Sequence, residues 1–265
     1  MHDHRISAKG GMHRASGEVS SGLSSRSHLA FDHAGECFVA STSGALFWPD
    51  RETLLVADLH LEKGSAYARG GQFLPPYDSQ ATLDQLARDI AHFSPARVIC
   101  LGDSFHDVEG PARMSDPVMQ RLKSLGDGLD WTWIIGNHDP VIASSVKGMV
   151  AESLTLQGNH REVTLCHEPQ QTAEEGQATS QALELCGHLH PVTTIHARGR
   201  AMRRKCFVLS AGRIILPAYG AYTGGLSLSD DAFAALIDKD TRLVVIGRQT
   251  MAITKWADLS RVRRR

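Results

Sequence analysis

The chain has 265 residues, 42% hydrophobic and 22% charged, the composition of a globular protein with a sizeable core. No apolar run approaches the roughly 18 residues of a membrane span, so the sequence predicts no membrane association. A net charge of −1 gives no global electrostatic reason to bind nucleic acid, and an anionic partner must be drawn by local cations or by metal.

Residues 1–36 read as a disordered leader, since Met1 to Ala30 is rich in Ser, Gly, His and Arg and lacks the apolar block of a secretory signal. His2, His4 and His13 offer loose metal binding there, a solvated tail being the simpler reading. A single domain is expected over 37–250, followed by a basic tail over 251–265 that carries Arg261, Arg263, Arg264 and Arg265. From Ala45 onward short apolar runs alternate with amphipathic segments, the pattern of an α/β protein. Ala45–Trp48 and Thr53–Ala57 flank a polar turn opened by Pro49, which predicts a hairpin. Asp78 or Ser79 caps a helix with Leu83, Leu86, Ala87 and Ile90 on one face, and Asp116-Pro117 opens another with Val118, Leu122 and Leu125. Further strands are expected over Arg97–Leu101, Trp131–Ile135, Glu162–Cys166, Glu184–Cys186, Lys205–Leu209, Arg213–Leu216 and Arg242–Ile246. Two packed sheets with helices outside is the preferred architecture. The five cysteines show no CxxC pairing, which points to a reduced, cytoplasmic protein.

The strands as far as Cys186 stop at residues able to bind metal, and open α/β sheets bind ligands beyond their strand ends. In order these read Asp58-Leu59-His60, Gly102-Asp103, Gly136-Asn137-His138-Asp139, Cys166-His167 and Gly187-His188-Leu189-His190. Carboxylate, imidazole and amide donors suit Mn, Fe or Zn in a catalytic site, whereas structural zinc favours thiolate. Alternation along a strand puts Asp58 and His60 on one side, and likewise His188 and His190. Cys166, next to His167, then faces the core. Gly102, Gly136 and Gly187 permit close approach beside the donors.

This series resembles the calcineurin-like metallophosphoesterase superfamily, whose fold is an α/β sandwich in αββα layers: two mixed β-sheets flanked by helices, with a dinuclear site at strand C-terminal ends. The resemblance implies that Asp103 bridges two divalent ions, with Asp58, His60 and His190 completing one coordination sphere and Asn137, His167 and His188 the other. A bridging hydroxide would be the nucleophile, the ions stabilising in-line displacement. His138 resembles the family histidine that contacts the scissile phosphate and assists the leaving group.

Gly102-Asp103-Ser104-Phe105-His106 looks like the GDxFH variant of metallophosphoesterase repair nucleases and brings His106 forward as a second catalytic histidine. Asp58 to Gly64, Phe73 to Pro76, Gly187 to Pro191 and Leu216 to Gly225 resemble the ligase-associated DNA damage response endonuclease family (PdeM). That resemblance spans about Trp48 to Leu226 and implies a Mn-dependent phosphodiesterase and DNA endonuclease, in a repair cluster with a DNA ligase, a helicase and an exonuclease. Arg203, Arg204 and Lys205, with Arg198 and Arg200, form a cationic stretch for DNA phosphates, a solvated hairpin being the equal alternative. Phe73, Tyr77, Tyr219 and Tyr222 read as loop packing, with base stacking the rival. A phosphodiesterase or pyrophosphatase for a nucleotide or lipid-linked substrate is the alternative enzyme, and a metal-free scaffold the alternative non-enzyme.

Overall fold

The computed structural model describes residues 27–72, 74–75, 77–170, 182–197 and 199–262. Its first sheet takes seven strands in chain order: β1 (His28–His33), β2 (Glu36–Ser41), β3 (Leu46–Trp48), β4 (Thr53–Val56), β5 (Arg97–Leu101), β6 (Asp130–Ile134) and β7 (Met149–Ala151). The first four form an antiparallel meander, and from β4 onward the pairings are parallel. Parallel neighbours need crossovers. α1 (Lys63–Arg69) and α2 (Asp78–Phe93) lead from β4 to β5, and α3 (Gly110–Arg113) and α4 (Asp116–Leu125) from β5 to β6. The second sheet holds β8 (Ser153–Gln157), β9 (Glu162–Cys166), β10 (Leu183–Cys186), β11 (Pro191–Ala197), β12 (Arg200–Ser210), β13 (Arg213–Ile215), β14 (Leu226–Ser227), β15 (Arg242–Ile246) and β16 (Met251–Lys255). Its order is β14-β11-β12-β13-β10-β9-β8, with β15 joining β12 to β16, and α5 (Trp256–Val262) follows.

Period-two alternation sorts the side chains into layers. On β5, Ile99 and Leu101 enter the core between the sheets, while Val98 and Cys100 face Leu83, Leu86 and Leu122 of the covering helices. On β12, Phe207 and Leu209 enter the same central core, and Cys206 and Val208 face Phe233, with Trp256 and Leu259 of α5 packed against that layer. The layers therefore run helix, sheet, sheet, helix, as the sequence predicts, with a thinner helical cover on the second sheet. All five cysteines are free thiols, and Cys166 is a buried core residue as expected. Among the described residues no helix is long and apolar enough to cross a membrane.

The expected boundaries need correction at both ends. Residues 28–36 are not leader: β1 pairs with β2 through a two-residue turn whose Ala34 and Gly35 both take positive φ (53° and 85°), as tight hairpins require. Phe31 anchors that strand in the central core. Residues 251–262 are not a plain tail either, because β16 pairs along the whole of β15 before α5 begins. Residues 1–26 and Arg263, Arg264 and Arg265 lie outside the described residues. The predicted cap of α2 is also replaced. Asp78 and Ser79 make no cap bond; they accept from the Gly64 and Glu62 backbone N–H groups at 2.9 and 2.8 Å, tying the loop after His60 to the helix.

The central core sets the distance between the sheets, so truncation there should be costly. Phe207→Ala, at a fully buried position, is expected to lose about 3–5 kcal/mol, read from the shift in the urea unfolding midpoint at unchanged slope.

Candidate metal centre

The C-terminal ends of β4, β5 and β6 in one sheet and of β9 and β10 in the other open onto one place. Strand alternation is not what gathers the donors. β4 ends at Val56, and Asp58 and His60 lie beyond it with φ of 54° and 44°; Asp103 (45°), His188 (70°) and His190 (45°) are left-handed as well. Left-handed backbone at a non-glycine residue costs on the order of 1–3 kcal/mol and persists where surroundings over-determine it. Here those surroundings are backbone bonds: Asp58 N–H to the Gly102 carbonyl (3.2 Å), His60 N–H to the Asp103 carbonyl (2.9 Å) and Gly220 N–H to the Asp58 carbonyl (3.1 Å).

Besides an all-imidazole group of His60, His106 and His138, two carboxylate-bearing donor groups result, each with its ligand atoms within 4.8 Å of one another: Asp58, His60, Asp103 and His190, and then Asp103, His167 and His188. Asp103 belongs to both. Its Oδ2 lies 3.8 Å from His60 Nε2 and its Oδ1 lies 3.4 Å from His167 Nε2, one oxygen toward each group. His60 Nε2 stands 3.4 Å from His190 Nε2, and Asn137 Oδ1 stands 3.0 Å from both His167 Nε2 and His188 Nδ1. Nitrogen and oxygen donors held at about 2.0–2.2 Å from one divalent ion are roughly 3.4 Å apart. The donor set therefore fits a cation in each group, and the seven residues predicted from the sequence are the ones brought together.

The surroundings fix these side chains. Leu101 O accepts from His167 Nδ1 at 3.0 Å, which leaves Nε2 directed at the centre. Asp58 accepts the His188 N–H, and Asp103 Oδ1 accepts the His138 N–H at 2.9 Å. Burial works against the His167 imidazolium, but the Asp103 hydrogen bond and the Asp58 charge outweigh it and hold the ring up at about 9. Burial likewise pushes Asp103 up, and the bond and charge of His167 overcome it, to about 2. His60 is driven the other way, down to about 3, by burial and by His190.

Several contributors carry no motif signal of their own. Asp139 is buried, accepts from Phe105 N–H (2.9 Å) and Gly136 N–H (3.0 Å), and so joins the loops after β5 and β6; its place after Gly136-Asn137-His138 is the available hint. Tyr219 is core, as loop packing predicts: its hydroxyl donates to Asp89 Oδ2 at 2.6 Å, and its N–H bonds the Ala57 carbonyl beside Asp58. Tyr77 and Tyr222 are exposed, and Phe73 lies outside the described residues.

His138 and His106 sit at the rim. Their rings stack at 5.3 Å, His138 Nδ1 lies 2.9 Å from the His106 carbonyl, and His60 is 5.0 Å from His138 and 5.6 Å from His106 by ring centroid. The cationic stretch of β12 does not act as a unit. Arg203 is exposed and donates to Gly225 O at 2.6 Å, and Arg204 projects to the opposite side of the strand. Lys205 is turned inward: its Nζ donates to Ala218 O at 2.6 Å, and burial pushes the ammonium down to about 8. It is a tie for the 216–225 loop and not a surface phosphate contact, because alternation on β12 places it beneath that loop. Arg198 and the side chain of Arg261 fall outside the described residues.

Two mixed sheets whose strand ends share a two-group donor site define a metallophosphoesterase fold. The profile of the calcineurin-like phosphoesterase superfamily domain matches residues 52–225, and the chain belongs to that superfamily. Pseudomonas putida nuclease MPE is similar in structure, with a TM-score of 0.62 and 27% identity over 85% of this chain and 100% of the nuclease. The E. coli phosphoesterase Yfce aligns with a TM-score of 0.41 and 12% identity, over 76% of this chain and 97% of its own. No curated protein matches the chain.

Gly136 packs so closely on Asp103 that a Cβ there would overlap its carboxylate and backbone nitrogen. Gly136→Ala is therefore expected to retain the circular dichroism of the fold and lose at least half of its bound metal, measured by elemental analysis after Mn or Zn loading. Full metal content would show that Asp103 is free to move.

Proposed function

We propose that the protein is a metal-dependent phosphodiesterase acting on nucleic acid, and more narrowly a DNA endonuclease. The observation that carries this reading is the pair of donor groups sharing Asp103, with His138 and His106 at their rim. The similarity to a nuclease over that protein's full length supports the substrate class. The motif resemblance supports Mn as the working metal and a repair role beside a DNA ligase, a helicase and an exonuclease. The all-nitrogen-and-oxygen donor set is compatible with Mn, Fe or Zn.

Asp58, His60, Asp103 and His190 would hold one ion and Asp103, Asn137, His167 and His188 the other. Such a pair supplies an activated water and neutralises the non-bridging phosphate oxygens. The remaining steps fall to the chain. The His167 and Leu101 contact fixes one imidazole tautomer, and Asp103 is kept ionised between the groups. His138 donates from Nδ1 to the His106 carbonyl, so a proton for the departing oxygen would come from Nε2 of the imidazolium form, leaving the neutral Nδ1–H tautomer. The stacked His106 ring limits where His138 can swing.

Two measurements test this. Asp103→Ala should lose both turnover and most bound metal while staying folded; normal turnover at near-normal metal content would exclude the shared site. His138→Ala should keep its metal, and its loss in kcat/KM should grow with leaving-group pKa, reaching about 10²–10⁴-fold for DNA and less for activated aryl diesters. A uniform loss across leaving groups would assign His138 to phosphate positioning. Wild-type activity with Mn on plasmid DNA, RNA, a phosphomonoester and a chromogenic diester decides the substrate class.

A further inference from the structure

A wall of aromatic and cationic groups leads outward from the metal centre. His60 lies 5.0 Å from His138, His138 lies 5.3 Å from His106, His106 lies 5.5 Å from Tyr67, and Lys63 Nζ lies 5.7 Å from the Tyr67 ring centre. His60 is buried, His138 is exposed, and His106, Tyr67 and Lys63 are half-buried, so the line runs from the interior along the surface. The local fold sets the direction: Lys63 and Tyr67 are four residues apart on α1, hence on one helical face, and the residues on either side of Lys63 are held by Ser79 and Asp78 through the Glu62 and Gly64 N–H groups.

The three cations on this side differ in how their charge is met. Arg69 pairs with Glu109. Arg113 pairs with Asp107 at 2.7 Å and reaches Glu109 at 3.7 Å. Among the described residues Lys63 has no carboxylate within ion-pair distance; its ammonium rests over the Tyr67 ring alone. Asp78, the acid whose field it feels, is already engaged by the Gly64 N–H. A half-buried ammonium with no carboxylate in direct contact is a place where an anion binds favourably. Its position beyond His106 puts that anion next to the reacting phosphate, not upon it.

We propose that Lys63, with Tyr67 and His106 beside it, is the subsite for the phosphate adjoining the scissile one along a nucleic-acid strand. The proposal rests on the nucleic-acid reading and deepens it. A small diester carries one phosphate and cannot use the subsite; a strand can. The contact is made in ground state and transition state alike, so it lowers KM and leaves kcat nearly alone. Lys63 is thus a binding residue for the substrate's second phosphate, and substrate length becomes the readout.

The test compares wild type with Lys63→Met, which keeps the aliphatic stem, Lys63→Ala and Lys63→Arg. The substrates are a thymidine dinucleotide with one phosphodiester, a trinucleotide with two, and a chromogenic aryl diester. The trinucleotide-to-dinucleotide ratio of kcat/KM is expected to fall about tenfold in Lys63→Met and Lys63→Ala, through KM, and to recover in Lys63→Arg. The salt dependence of log kcat/KM on longer single strands should become shallower by about 0.7 for the lost contact. An unchanged ratio, or a loss of bound metal in Lys63→Met, would overturn the subsite. If wild type cleaves the aryl diester and no oligonucleotide, the nucleic-acid reading falls and the subsite with it. If wild type prefers the trinucleotide and Lys63 variants share that preference, the subsite alone falls.

Discussion

Two nearly inaccessible carboxylates, Asp58 and Asp103, meet four imidazoles at the seam between two sheets, and much of the fold can be understood as holding them there. Asp58, His60, Asp103 and Asn137 come from the first sheet, and His167, His188 and His190 from the second. Each carboxylate-bearing group draws on both sheets. The apolar layer containing Leu101, Phe207 and Leu216 fixes the separation that allows Asp103 to lie within reach of both groups. Without metal, converging negative charge and lone pairs are met chiefly by the His167 proton, while His60 is driven toward neutrality. Divalent ions in the two groups would compensate charge that the fold has already gathered, and their binding would stabilise the folded state by mass action.

Gathering the donors requires an unfavourable backbone. Five donor residues take left-handed φ, and the loop over 216–225 lies against them. Tyr219 and Gly220 bond the Ala57 and Asp58 carbonyls; Tyr219 is tied to Asp89, Ala221 N–H to Thr82 and Ala218 O to Lys205. A helix, a strand of the opposite sheet and a loop thus converge on the backbone of one donor. Loop packing is in this way part of the metal site, although none of these side chains ligates.

The fold is legible in the sequence where burial imposes a strict pattern. β5 and β15 are five-residue, largely apolar runs whose limits coincide with the expected ones, because these inner strands are buried on both faces; β9 coincides as well, with Val163, Leu165 and Cys166 as its buried positions. The donors are legible because each follows such a run. What escapes is set by tertiary partners. β1 hides in a polar leader because its turn is Ala34-Gly35, and alanine is no turn signal. Asp78 and Ser79 look like caps because their residue types suit caps, yet the loop after His60 claims them. Arg203, Arg204 and Lys205 look like one basic patch because charge is read along the chain, whereas a strand divides it by face.

The same division of charge bears on how a chain of net charge −1 handles a polyanion. Most of the cations whose contacts are resolved are already committed: Arg97 to Asp130, Arg213 to Glu184, Arg113 to Asp107 and Lys147 to Asp127. The exposed pairs among them contribute little stability, but all of them remove charge from the pool available to a ligand. What is left for an anion lies along the wall that ends at Lys63, to which divalent ions at the donor groups would add positive charge. Asp78 and Ser79 fasten the start of that wall to α2 through the backbone of Glu62 and Gly64, two and four residues beyond His60. Lys63 lies between these two anchored residues and three beyond His60, so a strand seated on it would be positioned relative to the metal centre by the same hydrogen bonds.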